Sequence, residues 1–596
     1  MKKWLKSFLD TAFWGITGML FLFVDLLKKG VEFLLSHPKE TKTALIFSGL
    51  LFYPLALSTT YAFFSLLAGF TILHPTHPMV WGIALLPCCV IFAVNLRDRL
   101  VFKKRCYSSL LEWWHEERYS AARRKAMYPP IKQKMLRKAV TGICIGKIGF
   151  GSLKRYVCID LYDKSIANHI VIIGNSSAGK SSGPILTSLI ANFMDCDDTT
   201  PPPVTYLVVD PKPELCRLSS SGGKWTRVLN PMARRGTSYG WNLYYDITRD
   251  SPMDKITDRI EGIVNVVVQS NNEKNAFFQD SARNLLTGCL IYEFVVYGNN
   301  FIKSMRNILS ADLDSYVKKA KEDERCPKKV LMLLAEFGNE KDQSNATQDI
   351  KKSLKQQTAV FTRSDTEWFL DTEVNQLMCS PTCLDESISM FLSIKRADLY
   401  TFGVLFRLII SQCSEHLSRR NDDDPHDKPV VILIDEFTNL GGTVPNFAQN
   451  LGFIRSKKVT YVTIFQQYSQ LQQLYGKEEA RTILSMGHQL ILSCEDTELG
   501  KIFSDKGGEF VDTKTSYRQT GGILSTSSGE ATVSQTKEKR IRVMDDLTSL
   551  VPRFESIAFV HGSEYIRFSK CRYYLEPDLR KRSADCVKFH EYEADE

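Results

Sequence analysis

Paired cysteine motifs are missing from this chain. Its 15 cysteines are scattered, no CxxC has a matching second pair, and Cys379 with Cys383 finds no companion. That excludes a disulfide scaffold and leaves reduced, core-type thiols of a cytosolic body. The ten histidines fall in no ligand spacing either, so no zinc site is expected. A strong excess of one charge is also lacking. Lys and Arg total 76 against 67 Asp and Glu, a net +9, so the distribution of charge says more than its sum.

In one region charge vanishes altogether. Residues 44–73 carry no charged residue, "HPTHP" interrupts, and "MVWGIALLPCCVIFAVNL" runs on to Leu96. A bilayer crossing needs about 20 apolar residues, so residues 44–96 read as a two-helix transmembrane hairpin with a short outer turn. Lys28, Lys29, Lys39 and Lys42 precede it and Arg97, Arg99, Lys103, Lys104 and Arg105 follow, whereas the turn carries none. The positive-inside rule then puts both flanks, and everything beyond Leu96, in the cytoplasm. Residues 1–43 hold a segment that Lys6, Asp10 and Asp25 make too polar to span easily. It is expected as an interfacial helix, with a third span as the competing reading. Residues 97–155 form a basic connector, either a solvated face, a contact to acidic lipid headgroups or a nucleic-acid contact.

The chemistry begins at "NHIVIIGNSSAGKSSG". A short β-branched run suits a buried parallel strand. Gly174, Asn175, Ser176, Ser177, Ala178, Gly179, Lys180 and Ser181 then match GxxxxGK[ST], with Ser182 next and a helix-forming segment beyond. Strand, loop and helix together make a P-loop: loop N–H groups converge on phosphate, Lys180 reaches the β- and γ-phosphates, and Ser181 ligates Mg²⁺. Pro184 is acceptable in a first helical turn, where its missing N–H has no partner. A second strand, "KPVVILIDEF", ends in Asp435 and Glu436. The first acid can hold Mg²⁺, largely through water, and the second can polarise the attacking water. A third, "KKVTYVTIFQQ", offers Gln466 as a γ-phosphate sensor at its tip. Arg455, at the start of that unit, suits either a finger reaching a neighbouring subunit's nucleotide or a helix-end arginine bonded to carbonyls. ATP and Mg²⁺ are the expected cofactors.

These pieces together resemble the type IV coupling proteins, the TraG/TraD-type ATPases of conjugation and type IV secretion. "VVDPKPEL", "VLNP" with "YGWNLYYDI", "FFQDSARNLLTGCLIY", "LIDEFTNLGG", "FQQYSQLQQLYG" and "IRVMDDLTSLVPRFESIAFVHG" follow in the family's order over about residues 165–575. The resemblance implies an α/β, RecA-like P-loop domain with an inserted all-helical domain, behind the transmembrane hairpin. It implies a homohexamer at the bacterial inner membrane, beside the channel components of a type IV secretion system. The job implied is delivery of relaxase-bound single-stranded DNA, or of protein effectors, with ATP hydrolysis. In family terms Lys180, Ser181, Asp435, Glu436 and Gln466 keep the roles above, and Arg455 matches the intersubunit arginine. The sequence departs in the P-loop interior, Asn-Ser-Ser-Ala, and at Pro213, where a glycine is usual.

The expected layout places the nucleotide-binding domain at 156–253 and 383–580, the helical insertion at 254–382 and a short tail at 581–596. Residues 512–540, rich in Ser, Thr and Gly, are expected as a mobile loop or a hairpin. Two other readings remain in play. One is a membrane-anchored chromosome-segregation-type translocase of duplex DNA, although nothing beyond about residue 575 is long enough for a winged helix. The other is a recruitment platform that nucleotide merely stabilises.

Overall fold

The computed structural model describes residues 129–595, apart from 150–153, 176, 234–236, 270–275, 339–344, 425–426, 521–527, 552–554 and 561–564. The transmembrane hairpin expected at 44–96, the helix expected within 1–43 and the first part of the basic connector lie outside the described residues. Within them, no single helix is long and apolar enough to cross a membrane.

The chain divides into two units. The larger comprises residues 131–147, 156–503 and 543–596 and is built on one sheet. In chain order its strands begin with β1 (Leu136–Arg137), β2 (Ile143–Ile148), β3 (Arg155–Ile159), β4 (Ile170–Ile173), β5 (Thr205–Asp210) and β6 (Thr226–Leu229). A small separate ladder pairs β7 (Gly240–Trp241) with β8 (Met378–Cys379). The main sheet resumes with β9 (Ser389–Ser393), β10 (Val430–Ile434), β11 (Val459–Phe465) and β12 (His488–Ile491). The smaller unit contributes a hairpin of β13 (Glu509–Thr520) and β14 (Ser528–Lys539), so the Ser/Thr-rich stretch is the hairpin of the two alternatives. The last strands of the main sheet are β15 (Glu555–Phe559) and β16 (Tyr565–Ser569).

The main sheet has twelve strands in the order β1-β3-β2-β16-β15-β12-β4-β11-β10-β5-β9-β6. From β12 to β6 every pairing is parallel, whereas β15 and β16 run antiparallel. Parallel strands are covered on both faces, which explains their unbroken apolar sequences. Every residue of "IVII", "VVILI" and "VTYVTIF" is buried. The carboxyl ends of β4, β5, β10 and β11 therefore share one edge, where an open α/β sheet places its ligands.

Two stretches take on structure here. Within the basic connector, β1, β2 and the start of β3 belong to the main sheet. The stretch expected as a tail at 581–596 lies in a helix, Pro577–Asp595, which packs on the helices Leu215–Ser219 and Leu186–Asn192. Leu579 and Cys586 are its buried anchors. Between β7 and β8 the chain is helical, from Met253–Val267 to Ser364–Leu370. Side-chain caps start two of these helices: Asn300 accepts from the Lys303 amide and Asp312 from that of Ser315.

Candidate nucleotide site

β4 delivers the P-loop. Gly174 follows the strand, and a side chain there would meet Ala178 Cβ at 3.1 Å and Leu492 Cβ at 3.2 Å. The loop is then pinned from outside, since the Asn175 amide donates to Ser493 Oγ at 2.7 Å. It closes on itself as the Ala178 amide donates to Asn175 O at 3.0 Å. Gly179 takes φ +83°, the left-handed region that glycine enters without penalty. A wide turn, Ser181–Ile185, contains Pro184 and runs directly into the helix Leu186–Asn192. Ser176 is outside the described residues; Gly174, Asn175, Ser177, Ala178, Gly179, Lys180, Ser181 and Ser182 form the loop and the first turn.

Lys180 is buried and its ammonium folds back to Gly174 O at 2.8 Å. Burial lowers its pKa, against the pull of Glu436 and Asp435. Those two acids end β10. Asp435 is 4% exposed, and burial, reinforced by Glu436, lifts its carboxyl to about 6 while Lys180 opposes the shift. Its Oδ1 has no hydrogen-bond partner among the described residues. A buried carboxylate oxygen left unmatched costs free energy unless a cation or its water shell answers it. With the Ser181 hydroxyl on the facing loop, that oxygen fits a hydrated divalent ion.

Glu436 adopts φ +62°, uncommon for a residue with a side chain and typical of strained functional positions. What holds it there is the next residue. Phe437 is fully buried, 4.7 Å from the ring of Phe447 and stacked 5.4 Å from Tyr475. The carboxylate is then fixed by donors: Gln466 Nε2 at 3.1 Å and 3.4 Å, and Asn439 Nδ2 at 2.7 Å. An Arg396 nitrogen stands 3.5 Å away. Gln466, expected from the sequence as a γ-phosphate sensor, follows β11 and donates to the acid.

Arg455 stands apart from this group. It is exposed, in the turn Ile454–Lys457, and donates to Lys164 O at 2.9 Å. Within one chain that is the carbonyl-bonded arginine of the two alternatives.

Several participants escaped the sequence reading. Asp210 ends β5 beside β10, accepts the amides of Lys212 and Leu215, and is raised to about 6 by burial. Asn439 and Arg396 gave no signal. Nor did Lys570, just past β16, whose ammonium donates to Ala178 O at 2.7 Å and Leu492 O at 2.9 Å, tying the P-loop to β12. Burial brings its pKa down to about 7.

A family described as Type IV secretory system conjugative DNA transfer matches residues 120–594. Protein VirD4 of Rhizobium rhizogenes is 22% identical over 439 residues, covering 69% of this chain and 59% of that protein. Protein VirD4 of Agrobacterium fabrum is 22% identical over 441 residues, 69% of this chain and 60% of the relative. The chain therefore spans about three-fifths of the length of these relatives. Among solved structures, the plasmid coupling protein TrwB with the GTP analogue GDPNP superposes with a TM-score of 0.54 at 15% identity, over 74% of this chain and 91% of that one. TrwB with ADP and Mg²⁺ gives 0.51 at 16%, over 74% and 90%. The likeness to TrwB establishes a shared mixed α/β fold. With four-fifths of its residues matched, the chain belongs to the type IV secretory system conjugative DNA transfer family.

Proposed function

We propose that this protein is an ATP-hydrolysing coupling protein that brings relaxase-bound single-stranded DNA, or protein effectors, to a type IV secretion channel. The observation that carries the reading is the convergence of Lys180, the unmatched Asp435 Oδ1 and the Glu436–Gln466 pair at one sheet edge. Lys180 releases Gly174 O to take a phosphate oxygen instead, an exchange that costs little because the ammonium stays bonded throughout. Ser181 and, through water, Asp435 would hold Mg²⁺, which would supply positive charge against the phosphates. Glu436 accepts the proton of the attacking water, and Gln466 fixes both the carboxylate and that water. The relatives bearing the VirD4 and TrwB names, and TrwB's complexes with nucleotide analogues and with ADP and Mg²⁺, support the cofactor choice.

In this reading the working form is a homohexamer anchored at the bacterial inner membrane by residues 44–96, in contact with lipid. The exposed Arg455 is then free to exchange Lys164 O for the nucleotide of a neighbouring subunit. The decisive test is Glu436→Gln in the full-length protein. Nucleotide binding should persist while hydrolysis falls about 10²–10⁴-fold and substrate transfer stops. Transfer at the normal rate with hydrolysis abolished would refute the motor reading and favour a nucleotide-stabilised platform.

A further inference from the structure

The P-loop accounts for the phosphates of a nucleotide and leaves its base without a seat. The segment after β16 supplies one. Cys571, Arg572 and Tyr573–Leu575 lie directly on the phosphate loop: a side chain at Gly183 would meet Cys571 O at 3.2 Å. One at Gly179 would lie 3.6 Å from Arg572 Nε and 3.9 Å from its Nη2. The short turn Tyr573–Leu575 packs on both Ser181–Ile185 and the helix that continues it. Beyond Arg572 the line continues, because its Nη1 donates to the Tyr574 hydroxyl at 3.0 Å.

Tyr574 opens a groove of about 380 Å³, within the span of about 300–1,000 Å³ common for small-molecule sites. Its walls are Tyr574, Leu575, Pro577, Arg580, Lys581 and Ala584. Tyr574 and Leu575 are 39% and 59% exposed, unusual for two adjacent large apolar side chains unless something covers them. The wall holds an aromatic face, aliphatic surface and two cationic stems. It has no carboxylate or carboxamide side chain with which to pair a particular base edge.

We propose that this groove is the base subsite of the nucleotide whose phosphates the P-loop holds, with Tyr574 stacking on the base and Arg572 spanning from the phosphates to Tyr574. The assignment rests on the nucleotide reading above and adds to it the place and chemistry of base recognition. Stacking on a ring face does not distinguish purines, so ATP and GTP bind alike at this subsite. Arg572 is a positioning residue on the phosphate side, and Tyr574 is the residue that touches the base.

The test compares ATP with inorganic tripolyphosphate, which has the phosphates and no base. Binding of both is measured by calorimetry on the detergent-solubilised full-length protein. Tyr574→Ala should weaken ATP and GTP together by about tenfold and leave tripolyphosphate unchanged, whereas Tyr574→Trp should retain ATP. Ala584→Trp, which fills the groove from its exposed side, should block ATP without affecting tripolyphosphate. Unaltered ATP affinity in both Tyr574→Ala and Ala584→Trp, or equal loss of ATP and tripolyphosphate, overturns the proposal. Failure of the underlying nucleotide reading has a different sign: neither ligand would bind the wild-type protein, and Lys180→Ala would change nothing.

Discussion

Replacing Asp435 by asparagine should make the nucleotide-free protein more stable while depriving it of Mg²⁺-dependent hydrolysis. The magnitude follows from burial. The carboxyl rises from the ordinary 3.8 to about 6, and at about 1.4 kcal/mol per pH unit that difference costs the fold about 3 kcal/mol at pH 8. The sign is fixed by linkage. The folded protein holds the proton more tightly than the unfolded chain, so the penalty is complete above pH 6. It shrinks as pH falls towards 3.8, and about half remains at pH 5. Asparagine keeps the shape, carries no charge and escapes this cost. Asp210, raised in the same way, is present in both proteins but also helps to raise Asp435, so the comparison includes the relief of their repulsion. Urea unfolding of the two at pH 8 and pH 5, without nucleotide, measures the difference. The expected gain is up to about 3 kcal/mol at pH 8 and about half as much at pH 5. Adding Mg²⁺ with ATP should reverse the order, since the wild type gains a ligand that the variant holds poorly. An Asp435→Asn protein that is less stable than wild type by the same margin at both pH values would refute the reasoning.

Acid should act through His169 in the opposite sense. Its Nδ1 accepts the Tyr461 amide at 3.1 Å while Nε2 bonds Leu451 O at 2.9 Å, and burial lowers its pKa from 6.5 to about 4. A histidine kept neutral by folding contributes stability that is complete above pH 6.5 and is lost as pH falls towards 4, about 3 kcal/mol in all. A His169→Gln protein, compared by urea midpoint at pH 7 and pH 4.5, should lack that part of the acid sensitivity. On β16, Arg567 bonds Glu555 of β15 at 2.6 Å and Asp546 at 3.1 Å with all three side chains buried. Arg567→Met should cost about 3–5 kcal/mol by stranding two buried acids. Adding Glu555→Gln and Asp546→Asn should recover part of that loss in the same unfolding assay.

Legibility in the sequence tracked how local each feature is. Eight consecutive positions carry the P-loop, and five apolar residues followed by Asp435-Glu436 announce a strand and its acids. Gln466 was legible for the same reason, as the first polar residue after an apolar run. The strands β1 and β3 were hidden because Arg137, Lys154 and Arg155 lie in or beside them. β1, the edge strand, tolerates such charges, β3 beside it carries Arg155 only at its first position, and the alternation that marks a strand is lost over so short a span. The left-handed turn at Glu436 has no sequence signature, because the cause is a cavity for Phe437 formed by Phe447 and Tyr475. Lys570 was invisible for another reason. Its role exists only through pairing between segments nearly 400 residues apart.

That separation also sets a schedule for the ribosome. β4, which carries the phosphate loop, is flanked in the sheet by β11 and β12, both made some 290 residues or more after it. Its loop receives a further clasp from Lys570, 392 residues downstream of Ala178. Long-range parallel pairing of this kind closes late and slowly. A nascent chain that has already exposed Lys180 therefore has no strands on either side of it and no acid pair opposite it. Such a chain can neither grip nor spend nucleotide while it is being made, and a transcript truncated before β16 yields an inert product rather than an unregulated one.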